Sequence, residues 1–571
     1  ARRLWTRAAE LGSAEAMTTL GHRYRDGDGV PRDRAVALQW YGRAAEKGDA
    51  EAMWQLGTAY LYGRGVPVDE QAGNRWVAKA ADRGHTTAMV ELGFSYETGR
   101  GVARSADQSA IWYRAAADKG DTLGMCNLAD NYQKGIGVVR NVYTGLKWYR
   151  QAAERGAACG HNGLGIAYDD GVGVSEDPAE AAKHYRRGAE AGSSAAAYNL
   201  ARAYDRGRGV ANDPVEAIRW YRMAADKGDV KAQARLANAY SSGTHIPADL
   251  PEAARWMTLA AEAGEGNSQI DLGQMYQRGR GVQKDLVKAL HWYGQAAALG
   301  HQRAKVRMAL ILMFGGPGVE KNEAEAVRLL TVAAQIGYAG AMGHLGACYE
   351  YGDGVAQDQS QALHWYREGV DRGDPTAQNN LAWQYQEGKG VKPDYDKAIK
   401  LYRLAIEQGD ARARNNLGQL YEMGRGTPVD LAEAIRLYRV NADEGETWAQ
   451  VRLGKLYKEG KGVEKNLDVA LQWFTRAMEQ KNGNAMVEIG LLHAEGLPPN
   501  SRGKAEAAEW FRKAAEQTNP EGQYRLGLSY LNGEGLVADP AEAAKWLQAA
   551  AKQGHEKAAA ALKERLGLAP A

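Results

Sequence analysis

The sequence predicts an all-α solenoid, a stack of about fifteen helix-turn-helix repeats of 36 residues. A block returns every 36 residues, as in Leu20-Gly21 and Leu56-Gly57, and a period of this size is typical of stacked helical units. The unit can be placed 15 times between residues 13 and 554. In each copy, two segments with a helical spacing of apolar residues flank a glycine-rich turn. We call these two predicted helices helix A and helix B.

Helix A begins each repeat and ends at a glycine. Leu20 and Tyr24 are four residues apart, so they share one face of the helix and supply its large apolar contacts. Position 21 is Gly or Ala in all 15 copies, which predicts that a second helix passes close to it. The terminal glycine, Gly27 in the first copy, suits the left-handed conformation of a helix C-cap.

Helix B follows a Gly-x-Gly-Val turn and begins after a side chain that can cap it. Such residues are Asp33, Asp69, Asn141, Asp285 and Asp394. Three others precede a proline, which is favoured at the first helical position: Asp177, Asp213 and Asp539. Helix B then carries an aromatic pair, Trp40-Tyr41 in the first copy, and 11 of the 15 tryptophans occupy this slot. We therefore predict that these tryptophans form the core.

Both ends and two internal units depart from the pattern. Residues 1–12 match a helix B whose helix A is absent, so we expect a truncated repeat there. Residues 555–571 are predicted to form a capping helix and a tail. Irregular units lie near 301–337 and 482–518, where a residue is inserted and aromatic residues are lost. We predict a change of curvature or flexibility at 315–318 and 497–500.

Charge and hydropathy limit the classes of partner that we expect. The 72 basic and 70 acidic residues are finely mixed and leave a net charge of +2, so no nucleic acid partner is expected. The longest apolar run, residues 308–314, is far shorter than a membrane span, so we expect no direct membrane insertion. Cys126 and Cys159 lie one turn out of register in neighbouring repeats, and we expect them and Cys348 to be free thiols.

No catalytic constellation is evident in the sequence. The 11 histidines form no metal-binding pair on a shared helix face. The Gly-x-Gly turns join two helices and follow no strand, so they do not match a dinucleotide-binding loop. We expect no enzyme activity, no cofactor and no metal.

These residues carry a family resemblance. The spacing Leu-Gly-x-x-Tyr is similar to helix A of tetratricopeptide repeats, while the Gly-x-Gly-Val turn and the 36-residue period resemble the Sel-1-like branch of that superfamily. The resemblance implies a right-handed superhelix that scaffolds protein complexes. Many such proteins lie in bacterial envelopes, which favours the periplasm or cell envelope over the cytoplasm.

The resemblance also implies where a partner would bind. In tetratricopeptide repeats the concave groove is lined by the helix A residues two before and two after the Leu, with those five and six after it at the rim. In two adjacent repeats these positions hold Asn379, Trp383, Gln386, Asn415, Gln419 and Glu422. Amide side chains there can pair with the backbone of an extended peptide, and Trp383 would be an anchor.

A second polar and locally basic set occupies the same slots nearer the N-terminus, and it could meet a carboxylate or an acidic segment. It comprises Asn162, Tyr198, Arg202, Arg206 and Asn238. An aromatic group, Trp54, Tyr62 and Phe94, is either a hydrophobic docking point or a cover for the first repeat.

Two functions fit these patterns. The first is a non-catalytic scaffold or adaptor that holds a protein or peptide in its groove, for assembly or regulation of a bacterial envelope complex. The alternative is a module that binds carbohydrate or a cell-wall polymer, because exposed aromatic residues among Asn, Asp and Arg also suit sugar rings. The aromatic residues Trp54, Phe94, Trp383 and Tyr524 are separated in the sequence and do not form one continuous track, which favours the scaffold.

Overall fold

The computed structural model describes residues 2–497 and 501–569, and these form helices joined by short turns. The prediction of an all-α solenoid built from repeated helix pairs is confirmed. The first helices are α1 (Arg2–Glu10), α2 (Ala14–Asp26), α3 (Arg34–Glu46), α4 (Ala50–Tyr62), α5 (Glu70–Asp82), α6 (Thr86–Thr98), α7 (Ala106–Asp118), α8 (Thr122–Lys134), α9 (Val142–Glu154), α10 (Ala158–Asp170), α11 (Pro178–Glu190), α12 (Ser194–Arg206), α13 (Pro214–Asp226), α14 (Val230–Ser242), α15 (Leu250–Glu262), α16 (Gly266–Arg278) and α17 (Leu286–Ala298). The others are α18 (Gln302–Phe314), α19 (Glu323–Gln335), α20 (Ala339–Tyr351), α21 (Gln359–Asp371), α22 (Pro375–Glu387), α23 (Tyr395–Glu407), α24 (Ala411–Met423), α25 (Leu431–Asp443), α26 (Thr447–Glu459), α27 (Leu467–Glu479), α28 (Gly483–Ala494), α29 (Lys504–Glu516), α30 (Pro520–Asn532), α31 (Pro540–Lys552) and α32 (Glu556–Leu566).

The helices belong to two compact units, Ala1–Ala296 and Ala297–Ala571. Helices A carry even numbers and helices B odd numbers. Within each unit a helix A packs against the helix B of its own repeat and against the preceding helix B. Neighbouring helices A also touch, as α8 and α10 do in the first unit and α20 and α22 in the second, whereas no pair of successive helices B in the described residues packs as closely.

The predicted helix ends are present. Gly27 ends α2 with φ 80° and ψ 24°, and its N–H binds the carbonyl of Arg23, as a left-handed cap does. The Asp33 carboxylate accepts from the N–H of Val36 at 3.0 Å and so caps α3. These caps satisfy backbone groups that a short helix of 13 residues would otherwise leave without partners.

The small residue in helix A makes room for an aromatic ring of helix B. A Cβ atom added at Gly21 would lie 2.4 Å from the ring of Tyr41, and one at Gly346 would lie 2.5 Å from the ring of Tyr366. The close approach that the sequence predicts is thus correct, and the group that approaches at these positions is a tyrosine side chain. Tyr366 is fully buried, so its ring packs between the two helices of its repeat and stabilises their contact.

The tryptophan that precedes this tyrosine is less central than the sequence suggests. Trp220 and Trp256 are buried, as predicted, but the other nine tryptophans of the slot are half-buried. They pack at the edge of the core, several beneath a basic side chain, as Trp40 does beneath Arg43. Two neighbouring residues of a helix point about 100° apart around its axis. The tryptophan and tyrosine rings therefore cannot both face the centre of the same interface.

The two irregular units keep the helix pair and change its turn. After α18, Gly315 has φ 62° and ψ −163°, and Gly316 pairs with Val319 in an isolated β-bridge. In the second irregular unit His493 takes the tyrosine slot, is buried, and contacts the Ser501 hydroxyl through Nδ1 at 2.7 Å. Residues 498–500 of the predicted flexible turn lie outside the described residues, and a change of curvature at either unit stays a prediction.

Thr518 offers a test of the turn between repeats. It replaces the glycine found at most such turns and keeps the left-handed conformation, with φ 57°, which is strained for a β-branched residue. We expect Thr518→Gly to raise the free energy of unfolding by about 1 kcal/mol, measured by urea denaturation. The reverse change, Gly84→Thr, is the control and should lower it, since Gly84 has φ 88°. Equal stability of Thr518→Gly and wild type would contradict this reading.

Candidate functional site

A row of pockets lies on the first unit between α8 and α16. Four neighbouring pockets have volumes of about 490, 150, 490 and 180 Å³. Helices A supply most of their lining residues. Four residues predicted from the sequence line these pockets: Asn162, Arg202, Arg206 and Asn238. Tyr198, the fifth member of that set, is half-buried and packs against the ring of Tyr221, with centroids 5.6 Å apart.

The first pocket of the row contains a disulfide, which corrects the expectation of free thiols. Cys126 on α8 and Cys159 on α10 are bonded, with Cα atoms 6.2 Å apart. The sequence places Cys159 one turn before the register position of Cys126, but α8 and α10 pack directly against each other and the two side chains meet. Cys348 is a buried free thiol, and burial raises its pKa to about 12, so it behaves as a small apolar side chain.

The second pocket carries most of the charge. Arg202 and Arg206 line it together with Asp169 and Asp170. Arg208 donates to the Asp169 carboxylate at 2.6 Å, so one of the two acidic groups is already paired. The amide of Asn199, on the same wall, donates to Asn162 Oδ1 at 3.1 Å and links α12 to α10. The pocket therefore offers two arginines that a ligand can reach.

The third pocket contains a buried group without a partner. Tyr221 lines it, is buried, and its hydroxyl forms no hydrogen bond within the described residues. Arg235, Asn238 and Arg280 line the same pocket, and Asn238 and Arg280 continue into the fourth. Buried polar groups normally have a partner, so a ligand that accepts a hydrogen bond from the Tyr221 hydroxyl would complete this site.

In the second unit, the predicted amides bond to neighbouring helices. Asn379 is buried, and its Oδ1 accepts from the amide of Asn416 at 3.0 Å across α22 and α24. Asn415 Oδ1 accepts from Asn441 at 2.7 Å, and the Asn415 amide donates to Glu446 at 3.2 Å. These amides are thus bonded to neighbouring helices, and their binding of a peptide backbone stays a prediction.

Gln386 and Glu422 each accept a hydrogen bond from a tyrosine of their own repeat. Gln386 Oε1 accepts from the hydroxyl of Tyr402 at 2.9 Å, and Glu422 accepts from that of Tyr438 at 3.1 Å. Both acceptors lie 16 residues before the tyrosine that they bind. The position predicted for the groove rim therefore has a structural role in these repeats.

Glu422 is also the centre of a buried ion cluster. Its carboxylate accepts two hydrogen bonds from Arg452 and lies 3.3 Å from Lys461 Nζ. Burial alone would raise the pKa of Glu422, but the hydrogen bonds and charge of Arg452, with Lys461 and Tyr438, hold it below its usual range. The group is a carboxylate at neutral pH and ties α24 to α26.

Trp383 and Gln419 are the two members of this set without such a role in the described contacts. Both are half-buried. Lys389 Nζ lies 4.1 Å from the centroid of the Trp383 ring, in a cation–π contact. Peptide binding at these residues stays a prediction.

The family match covers almost the whole chain. The model of the Sel1 repeat matches residues 1–13, 14–49, 50–85, 86–121, 122–156, 160–193, 194–229, 230–265, 266–301, 302–338, 339–374, 375–410, 411–445, 449–482, 483–519 and 520–555. The chain belongs to the Sel1 repeat family. This confirms the resemblance read from the Leu-Gly-x-x-Tyr spacing and the Gly-x-Gly-Val turn.

Solved structures include other members of the family. The chain is 31% identical to c5321, a protective antigen of uropathogenic Escherichia coli with this repeat fold, over 80% of this chain and 97% of that one, with a TM-score of 0.48. It is 30% identical to a Sel1 repeat protein from Oxalobacter formigenes over 54% of this chain and 89% of that one, with a TM-score of 0.39. None of the curated proteins compared matches the chain.

Membership of the Sel1 repeat family assigns a general role. Arrays of such repeats build extended surfaces that bind proteins, so this Sel1 repeat protein is a protein-interaction scaffold in the general sense. Proteins of the family are typically non-catalytic. Within the described residues, no group of three or more His, Cys, Asp and Glu side chains could hold a metal ion. None of the described helices combines the length and apolar character of a membrane span.

The disulfide of this Sel1 repeat protein leads to a stability prediction. It closes a loop of 33 residues, and such a cross-link contributes about 2–4 kcal/mol. We expect dithiothreitol to lower the thermal midpoint of the first unit, measured by circular dichroism. The double variant Cys126→Ala/Cys159→Ala is the control, because the reductant should not change it. Reaction of both thiols with maleimide in unreduced protein would show that the bond is absent.

Sequence reasoning missed several residues of these sites. The acceptor 16 residues before the tyrosine recurs in Glu97, Gln277, Glu350, Gln386 and Glu422, and this spacing is visible in the sequence once the pairing is known. Arg452 reaches Glu422 from the next repeat, and Asn441 reaches Asn415 from helix B of the same repeat. No local pattern indicates such contacts.

Proposed function

We propose that this protein is a non-catalytic adaptor that binds an extended peptide segment of a protein partner on the first unit, between α8 and α16. The observation that supports this is the row of four pockets lined by Asn162, Arg202, Arg206 and Asn238. Consecutive small pockets along one surface suit consecutive side chains of an extended chain better than a single compact ligand.

The chemistry of the row favours a polar peptide with at least one acidic side chain. Arg202 and Arg206 can hold a carboxylate through charge-assisted hydrogen bonds. Asp169 and Asp170, close by, would reject a strongly negative polymer, since like charges repel. The amide of Asn127 in the first pocket offers both a donor and an acceptor to a peptide backbone. The amide of Asn162 offers its N–H donors, since its Oδ1 accepts from Asn199.

The disulfide supports the predicted location. Disulfides persist in oxidising compartments such as the bacterial periplasm and are rare in the cytosol. The bond joins α8 to α10 beside the first pocket and would keep that part of the binding surface rigid. We extend the proposal accordingly to the assembly or regulation of an envelope complex.

A carbohydrate or cell-wall polymer is the alternative ligand, and the aromatic residues bear on it. Trp54 is stacked on His85 with ring centroids 5.1 Å apart, and Tyr524 on His555 at 4.6 Å. One face of each ring is therefore covered, which leaves less of it for a sugar. These contacts favour the peptide.

The test places a photo-crosslinking amino acid at position 202 or position 238 of the full chain in the native organism. We expect crosslinks to one protein partner from both positions, mapped by mass spectrometry to one short segment. Position 219 is the control, because Arg219 is exposed on helix B α13. Arg202→Ala/Arg206→Ala should weaken binding of that partner, while Arg219→Ala should not. Crosslinks confined to position 219 would contradict the proposal, and recovery of a polysaccharide in place of a protein would favour the alternative.

A further inference from the structure

The first repeat breaks the hydrogen-bond pattern of its tyrosine. In five other repeats the residue 16 positions before the tyrosine accepts a hydrogen bond from its hydroxyl, as Glu97 does for Tyr113 at 2.7 Å. The equivalent residue for Tyr41 is Arg25, and a guanidinium group has no acceptor. Tyr41 is 2% exposed, and its hydroxyl has no acceptor within the described residues.

The Tyr41 hydroxyl, which lacks an acceptor, belongs to a pocket. A cavity of about 330 Å³ lies between α2, α3 and α4, and Tyr41 and Trp54 both line it. The indole N–H of Trp54 is buried and also has no acceptor within the described residues. When the cavity holds no ligand, two buried donors without acceptors lower the stability of the fold. A ligand that accepts hydrogen bonds in this cavity would supply the acceptors that these donors lack.

The charge of the pocket is positive. Four arginines line it, Arg25, Arg32, Arg34 and Arg64, and among the described lining residues Asp26 is the single carboxylate. Asp26 is already engaged by Arg25 through two hydrogen bonds of 2.8 and 2.7 Å. Guanidinium groups form strong, directional hydrogen bonds with carboxylates and phosphates.

An aromatic surface adjoins this pocket and shares one of its arginines. The guanidinium carbon of Arg64 lies 4.8 Å from the centroid of the Tyr62 ring, and that of Arg100 lies 4.6 Å from the same centroid. Phe94 lies beside Arg100, 5.5 Å from its guanidinium carbon. Tyr62 and Phe94 are each 42% exposed. A ligand that enters the pocket would thus have an apolar neighbour for its next group.

We propose that this pocket binds the carboxylate of an acidic residue in a peptide, and that Tyr62 and Phe94 contact an apolar side chain next to it. This rests on the proposed function, because it specifies a second contact of the same kind of partner. Tyr41, Trp54 and the arginines supply the donors for the carboxylate. The exposed rings favour a peptide over a free anion, which would leave them unused.

The test uses two fluorescent peptides with amidated C-termini, Gly-Ala-Glu-Phe-Ala-Gly and its Gln counterpart, and the full chain. We expect the Glu peptide to bind about tenfold more tightly than the Gln peptide, since the carboxylate adds charge-assisted hydrogen bonds. Arg34→Gln/Arg64→Gln should weaken binding of the Glu peptide about tenfold, and Tyr41→Phe should weaken it several-fold. Both changes should weaken binding of the Gln peptide less than binding of the Glu peptide, because the amide carries no charge.

Tyr113→Phe is the matched control. It removes the hydroxyl from the same slot, where Glu97 is its acceptor, so it should lower thermal stability and leave peptide binding unchanged. Equal binding of the Glu and Gln peptides would overturn the proposal, as would displacement of the Glu peptide by inorganic phosphate at concentrations similar to those of the peptide itself. If the pocket variants bind normally while Arg202→Ala/Arg206→Ala loses its native partner, the pocket proposal fails and the proposed function stands. If the pocket variants lose the Glu peptide while Arg202→Ala/Arg206→Ala keeps its native partner, the proposed function fails and the pocket proposal stands.

Discussion

Replacing Tyr366 with alanine is expected to lower the free energy of unfolding of the second unit by about 3–5 kcal/mol, the usual range for removing a large aromatic core side chain. Tyr366 is fully buried, and its ring fills the space that Gly346 leaves open. Its hydroxyl donates to the buried carboxylate of Glu350 at 2.7 Å. The alanine variant therefore loses the ring and leaves a buried acceptor without its donor. Urea denaturation followed by circular dichroism measures the change.

Two further variants separate these contributions. Tyr366→Phe keeps the ring and removes the donor, so it should lower stability by about 1–3 kcal/mol, the range for a buried group left unsatisfied. Trp365→Ala, at the adjacent half-buried position, should lower stability less than Tyr366→Ala does. A Trp365→Ala variant that is less stable than Tyr366→Ala would show that the tryptophan, as the sequence first indicated, is the main core residue.

The fold could be predicted from the sequence because each repeat ends and begins its helices with the same local signals. A left-handed glycine at the end of helix A and a capping side chain before helix B have steric and hydrogen-bonding reasons that act within a few residues. Asp33 and Gly27 therefore indicate the helix ends without any knowledge of the neighbouring repeats. Fifteen copies of one pattern then leave little freedom in the architecture.

The binding residues were harder to predict because they depend on contacts between repeats. Asn379 and Asn416 lie 37 residues apart, and whether two such amides face each other depends on how adjacent helices are offset. A contact between neighbouring helices A also joins Cys159 to Cys126, with a separation of 33 residues. A periodic sequence gives the register of each helix but not its displacement along the axis, so amides and thiols that look free can be paired.

Charge was equally difficult to assign from the sequence. The near balance of basic and acidic residues conceals local imbalance, as in the pocket that contains Arg34 and Arg64. It also conceals local pairing, as at Glu422, whose partners come from the next repeat. Net charge therefore describes the whole chain and says little about any single surface.

The Glu422 cluster leads to the second large expected effect. Replacing Arg452 with methionine keeps most of the side-chain volume but removes the two hydrogen bonds to a carboxylate that is 1% exposed. Breaking a buried ion pair from one side lowers stability by about 3–5 kcal/mol. Here Lys461 and Tyr438 stay near the carboxylate, so we expect about 3 kcal/mol, at the lower end of that range. Arg439→Met is the control, because Arg439 contacts the Tyr457 hydroxyl at an exposed site.

The dependence of this loss on pH identifies the carboxylate as its cause. In the wild type the pKa of Glu422 is held below its usual range, so the cluster stabilises the fold above the unfolded pKa of about 4.3 and loses this contribution as the pH falls through the folded pKa. Without Arg452, burial should raise the pKa of Glu422, and the carboxyl group would take up a proton at a higher pH. The difference in unfolding free energy between wild type and Arg452→Met should therefore shrink between pH 7 and pH 4, and a difference that stays constant would mean that lost packing, not the unpaired charge, destabilises the variant.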